Sequence, residues 1–247
     1  NDNTLKKFAG YPHKIIRINP KKFNFGKSRD YVCKMASGKY IVTMSVDALP
    51  ADQYWLKELI SPMIEGKADI VQGGIQCPKP GDKNYPEFFY WENDYGFYYS
   101  SEGNNFNNKY GGIGLSCINL GVKKSVWEKT GFRGVSYCED KIFQKRAHKA
   151  GFVTIFSESA SVVHAHSYKS VKNLFQRIAN EGLGWKELGE NYGVSLLLKD
   201  LLRFDMHWTA LKACASGKLK FSSEKWFFFI RPLAIFWGNK FLKEVYR

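Results

Sequence analysis

The sequence predicts an α/β fold: a sheet with parallel pairs and right-handed crossovers, followed by a helical C-terminal part. Three observations predict it. Short runs rich in Tyr, Ile, Val and Thr alternate with helix-like stretches as far as Ile75, in the order β-α-β-α-β. The junctions carry turn and stop signals, among them Asn24 to Asp30, Ser37-Gly38 and Pro50. From Ser170 onward the pattern is helical alone.

In chain order, Asp2-Asn3-Thr4 caps a short helix, Leu5 to Ala9, and the alternation of Lys14 to Ile18 reads as a strand ended by Pro20. The turn from Phe23 to Asp30 opens a helix that runs to Ala36. The apolar run from Tyr40 leads to one acidic residue, Asp47. Pro50 cannot donate to a continuing ladder, so Asp47 is placed at or just past the C-terminal end of a strand. A helix near Ala51 to Gly66 and a strand, Asp69 to Ile75, follow. Pro78 to Pro86 is a loop, Phe88 to Tyr99 an aromatic-rich helix, and the Asn- and Gly-rich stretch Gly103 to Gly114 a flexible loop near the site. Cys117 to Val122 is a strand, Ser125 to Thr130 a short helix, and Lys141 to Ala150 a helix opened by Cys138-Glu139-Asp140. Phe152 to Phe156 and Ala160 to His164 read as two strands. Val171 to Glu181, Ser195 to Phe204, Trp208 to Ala215 and the stretch Trp226 to Tyr246 complete the pattern.

With 247 residues, 44% hydrophobic and 24% charged, the chain has room for one large domain or a domain plus an appendage and is not a disordered composition. Its 37 Lys and Arg against 23 Asp and Glu give a net charge of +14, which suits nucleotides, phosphorylated lipids, nucleic acid or an acidic membrane face. The 5 cysteines form no C-x-x-C pair, so reduced thiols in a cytosol fit better than a zinc or disulfide framework. No apolar run is long enough to read as a transmembrane helix. The charge and the interleaved aromatics also permit a non-catalytic basic protein that binds nucleic acid or membrane, but the charge is spread along the chain without a recognition motif, which argues against a specific nucleic-acid partner.

Three groups carry chemistry. Asp47, at the carboxyl edge of a sheet, can hold a divalent cation and through it a diphosphate; its structural alternative is a turn or N-cap aspartate. Glu139-Asp140, at the start of a helix, reads as a general base that deprotonates a hydroxyl, or as a capping pair. His164 and His166 face one side of an extended segment. They share a site, or one binds metal while the other contacts phosphate, or they are structural.

Read together and in order, Asn24 to Asp30, Ala36 to Val42, Asp47-Ala48-Leu49-Pro50-Ala51-Asp52 and Trp55-Leu56 resemble family 2 glycosyltransferases. Gly131-Phe132, Glu139-Asp140, Arg146, Ala150-Gly151 and His164 continue the match. The Phe-Asn-Phe-Gly, Asp-Ala-Leu-Pro and His-x-His-Ser-Tyr details look most like the rhamnosyltransferase-like branch. The resemblance covers about residues 1 to 185. It implies a GT-A fold, a catalytic domain over 1–185 and a helical region over 186–247, with sugar transfer from a nucleotide diphosphate by displacement with inversion. It implies further that Asp47 and His164 hold Mg or Mn, that Asp140 is the base with Glu139 orienting it or touching the acceptor, and that Arg29 and Asn119 serve the donor. A dTDP-rhamnose donor is the preferred expectation and a UDP-hexose the alternative. The acceptor expected is a lipid-linked or polymeric glycan of the cell envelope, met by a cytoplasmic protein at the inner membrane face.

Two departures qualify the match. Ser45 replaces the leading acid of the family's D-x-D motif, so the metal has one carboxylate fewer. Asp2-Asn3-Thr4 resembles a segment that follows the family's second strand, so the first βα unit is expected to be missing from this sequence. Among the remaining segments, Trp91 and Glu92 lie in an aromatic run that suits an acceptor wall or plain core packing. The run from Lys218 to Arg247 mixes Trp and Phe with Lys and Arg. It suits a helix lying in a membrane interface, or an appendage packed on the domain or on another subunit in a homo-oligomer.

Overall fold

A computed structural model describes residues 10, 14–79, 81–91 and 101–246. The expected helix Leu5 to Ala9, Glu92, and the end of the aromatic run beyond Trp91 lie outside the described residues. The described chain is a mixed α/β structure. Its elements are α1 (Phe25–Met35), β1 (Tyr40–Met44), β2 (Ala48–Pro50), α2 (Trp55–Ile64), β3 (Ile70–Gln76), α3 (Ser101–Lys109), β4 (Asn119–Lys123) and α4 (Lys124–Thr130). Then come α5 (Glu139–Lys149), β5 (Thr154–His164), α6 (Val171–Glu187), α7 (Val194–Leu201), α8 (Phe204–Ala215), α9 (Ser222–Lys225) and α10 (Phe227–Lys240).

The strands form one sheet in the order β1-β4-β3-β5-β2. β3 and β5 run parallel, and the β1–β4, β3–β4 and β2–β5 pairs are antiparallel. Period-2 alternation sends neighbouring residues to opposite faces. Ile70, Leu120 and Val122 pack with Cys33, Val126 and Phe143 beneath α1, α4 and α5, while Val71 packs with Leu59 and Met63 of α2. A Cβ on Gly121 would lie 3.0 Å from the Met63 Cε, so the missing side chain lets α2 settle on β4.

A third core, rich in aromatic rings, lies among the C-terminal helices and the segments packed on them. Leu174 and Ile178 of α6 and Phe227, Ala234 and Ile235 of α10 are almost wholly buried there, together with Phe89, Trp91 and Phe106. Full burial of each Leu, Ile or Phe stabilises by about 1.5–3 kcal/mol. α6 and α10 approach so closely that a Cβ on Gly238 would collide with the Ala179 carbonyl and one on Gly182 with the Ile235 carbonyl.

Several local expectations are corrected. Residues 14–19 form no strand, and Lys14 to Ile18 find no ladder among the described residues. The apolar run from Tyr40 breaks at Ser45, and Ala48–Pro50 returns as a short edge strand on β5, where Pro50 is tolerated. The Asn-rich stretch expected as a loop begins with α3. Burial of Phe106, whose ring lies 5.2 Å from that of Trp185, overrides the weak helix propensity of its neighbours. The two strands expected between Phe152 and His164 are a single strand, β5, whose pairing shifts register between Gly73 and Ile75 of β3.

Candidate active site

The first half of the site is made by strand register. Ala48 of β2 pairs with His164 of β5, which sets the preceding turn residue, Asp47, over the end of β5. Asp47 Oδ1 lies 3.3 Å from His164 Nε2. Just past the end of β5, the His166 ring lies 4.5 Å from that of His164, edge to face. One ligand atom from each of Asp47, His164 and His166 falls within 4.8 Å of the others. Tyr85, which the sequence did not single out, shares its hydroxyl proton between the carbonyls of Asp47 and Val163 at 2.6 and 2.8 Å. It ties the turn to β5.

The donor set fits a divalent cation. One carboxylate and two imidazoles suit manganese, which accepts nitrogen as well as oxygen, better than magnesium, which prefers oxygen alone. The set holds one carboxylate, with Ser45 two residues before it.

The second half sits at the start of α5. Cys138 has φ 61° and ψ 42°, the one left-handed non-glycine residue among those described. That turn swings Glu139 and Asp140 onto the first turn of α5, where the helix dipole favours carboxylates. A left-handed residue of this kind costs about 1–2 kcal/mol and persists where the surroundings hold it. Gly184 of α6 supplies the surroundings: a Cβ there would lie 2.7 Å from Cys138 Sγ and 2.9 Å from the Tyr137 carbonyl oxygen.

Arg29 reaches the pair from α1. Asp30 fixes that helix by accepting hydrogen bonds from Trp127 Nε1 and the Phe132 amide, both at 2.8 Å, which aims its neighbour inward. Arg29 Nη2 then lies 3.3 Å from Glu139 Oε1. The Glu139 carboxyl is nonetheless pushed up to about 7, first by burial and next by Asp140, against the opposing pull of Arg29 and Arg177. A native carboxyl raised from 4.5 to about 7 keeps a proton that the unfolded chain has released, so stability falls as pH rises through that window. Glu139→Gln is therefore expected to flatten the decline of Tm with pH; an unchanged slope would place the shifted group elsewhere.

The two halves meet in a cavity of about 400 Å³, within the size range of small-molecule sites. Arg29, Glu139, Asp140, Ser45, His164 and His166 all line it, and Asp47 stands beside it through His164. The far wall was not anticipated. Glu181 of α6 bonds Arg177 one turn away at 2.9 Å and Arg231 of α10 at 3.1 Å, and all three line the cavity. Arg231 belongs to the Trp-, Phe-, Lys- and Arg-rich C-terminal run, yet it is 3% exposed. The i,i+4 spacing of Arg177 and Glu181 was the one signal in the sequence.

Two expected site residues lie elsewhere. Asn119 is fully buried in the sheet and does not line the cavity: its Nδ2 donates to the carbonyls of Gly74 and Ala160, and its Oδ1 accepts from Trp55 Nε1. With its amide so committed it braces β3, β5 and α2 and has no capacity directed at a donor. Trp91 is also fully buried, donating from Nε1 to the Glu224 carbonyl at 2.6 Å, and packs in the aromatic core rather than on an acceptor wall.

The model of glycosyl transferase family 2 matches residues 1–128, a little over half of the chain. The chain belongs to that family. The matched stretch carries Arg29 and Asp47, whereas Glu139, Asp140 and His164 lie beyond it. Among solved structures, one titled "Crystal Structure of a Mycobacterial Protein" is similar with a TM-score of 0.51 and 13% identity, over 77% of this chain and 62% of that one. It supports the mixed α/β fold of the family. Glucosyl-3-phosphoglycerate synthase from Mycobacterium tuberculosis, in complex with phosphoglyceric acid, aligns with a TM-score of 0.45 and 13% identity, over 77% of this chain and 66% of that one. The chain thus spans less than two thirds of either structure. No curated protein matches it.

Proposed function

We propose that the protein is an inverting glycosyltransferase that moves a sugar from a nucleotide diphosphate to a hydroxyl of a lipid-linked or polymeric glycan. The reading is carried by one observation: the Glu139-Asp140 pair and the Asp47–His164–His166 set converge on the same cavity. In this reading Asp140, half-buried and facing the cavity, accepts the proton of the acceptor hydroxyl. The freed oxygen forms a bond to the anomeric carbon as the bond from that carbon to the diphosphate breaks, which inverts the centre. Glu139, held by Arg29, orients the acceptor, and Arg29 lies toward the donor. Asp47, His164 and His166 would hold a divalent cation, which when bound supplies charge neutralisation for the departing diphosphate.

Manganese is the preferred ion on the chemistry of the donors. A dTDP-rhamnose donor is supported by the Phe-Asn-Phe-Gly and His-x-His-Ser-Tyr details, and a UDP-hexose is the second reading. Residues 1–185 act in this reading as the catalytic unit and 186–247 as a helical region that completes the cavity wall through Arg231 and serves a peripheral position at the inner membrane face.

The test is thermal stabilisation by nucleoside diphosphates with and without manganese. A manganese-dependent shift with dTDP or UDP is expected, and none with any nucleotide would overturn the reading. His164→Ala is expected to weaken manganese binding by about tenfold or more, since it removes one ligand of three. Titration followed by manganese paramagnetic resonance measures this directly, and equal affinity in the variant would remove His164 from the metal set.

A further inference from the structure

The C-terminal helices carry an apolar surface that the cavity does not use. On α10, Phe229, Leu233 and Trp237 follow one another at intervals of four and form a single stripe. On α8, Phe204, Trp208 and Leu211 follow at intervals of four and three and share one side of the helix. These six side chains are between 44% and 73% exposed. His207 of α8 stacks on Phe229 of α10 with ring centroids 4.4 Å apart, so the two stripes are joined. Isolated exposed apolar residues are ordinary, whereas two such stripes joined through a ring contact mark an interaction surface.

We infer that this face docks on an anionic lipid surface. Charge decides the occupant. Over residues 194–246 the exposed charge is Lys199, Lys212, Lys218, Lys220, Lys225, Lys240 and Lys243 against Asp205 and Glu244. A two-fold contact with a second copy would oppose lysine to lysine, because such an interface presents the same patch on both sides. An anionic headgroup layer complements the lysines, and Trp and Phe favour the zone between headgroups and acyl chains. Lys212 Nζ lies 5.4 Å over the Trp208 ring, an ammonium held beside the indole it would accompany to the headgroups. No described helix is long and apolar enough to cross a membrane, so the face lies on the surface rather than spanning it.

The surface differs from the one expected from sequence alone. Phe227, Phe228 and Ile230 of the terminal run are buried and Arg231 faces the cavity, whereas α8 contributes half of the apolar stripe. The inference deepens the proposed reading by naming the surface that would meet a lipid-linked acceptor. It can fail independently of that reading.

The test is flotation of the full chain with phosphatidylcholine vesicles, with and without phosphatidylglycerol. Binding is expected to the anionic vesicles and to weaken with added salt. The double variant W208E/W237E is expected to lose about tenfold or more in vesicle affinity while retaining its Tm and its nucleoside diphosphate binding. Quenching of tryptophan fluorescence by brominated lipid should disappear in the same variant. Wild-type binding to neutral and anionic vesicles alike, no vesicle binding, or concentration-dependent dimerisation abolished by W208E/W237E would each overturn the lipid assignment. Nucleotide binding in the same samples reports separately on the transferase reading.

Discussion

Asp140→Asn is expected to lower sugar transfer by about 10³-fold, within the range that a positioned general base contributes, while nucleoside diphosphate binding persists. The amide keeps the shape of the side chain and removes its capacity to take a proton. The prediction is sharp because a second carboxylate stands beside it. Glu139 has its pKa pushed up to about 7, a value suited to a base near neutral pH, but it is buried and lies 3.3 Å from Arg29. Asp140 is the more accessible of the two and faces the cavity. Paired acids with different environments divide their roles, and exchange of each in turn assigns them. Single-turnover transfer measured for Asp140→Asn and Glu139→Gln decides the matter. Full activity in the first and none in the second would move the base to Glu139.

Gly238→Ala is expected to destabilise the fold by about 3 kcal/mol or more. Propensity alone predicts the opposite sign, because Ala in a helix interior is favoured over Gly by about 0.8–1 kcal/mol. Packing reverses it: the new Cβ would occupy the space of the Ala179 carbonyl of α6. Backbone cannot swing aside as a side chain can, so the helices would have to separate and the aromatic core between them would open. Gly66→Ala is the control, since its φ of +74° strains any side chain but nothing lies within 4 Å of a Cβ there; it is expected to cost about 1–2 kcal/mol. Chemical denaturation of both variants measures the difference. A Gly238 variant as stable as the Gly66 variant would mean that α6 and α10 can part without penalty.

The features legible in the sequence are those whose signal is local. Asp47 was readable because a β-rich run stops beside it, and Glu139-Asp140 because a helix starts there. His164 and His166 were readable because an extended chain puts i and i+2 on one side. Features decided by distant partners were not. Nothing near Phe106 says that Trp185 will bury it and make a helix of an Asn-rich stretch. Nothing near Arg231 says that Glu181, 50 residues earlier, will draw it into a cavity wall. Asn119 is expected at the donor through the family resemblance alone; a buried amide at a strand start must bond to something, and its partners, Gly74, Ala160 and Trp55, are remote in sequence.

The edge strand Ala48–Pro50 is only 3 residues long, yet its pairing with β5 sets where Asp47 stands relative to His164. Side chains in a strand alternate, so a shift of one residue would turn the carboxylate to the opposite side of the sheet. The step from Met44 to Ala48, which joins strands that pair with different partners, is therefore constrained in length before it is constrained in composition. Substitution at Val46, which is almost fully exposed, leaves that spacing intact. A single inserted or deleted residue in the step does not, however well it suits the turn. Among divergent forms of this chain, drift in the letters of this step and constancy in their number is the pattern that its geometry favours.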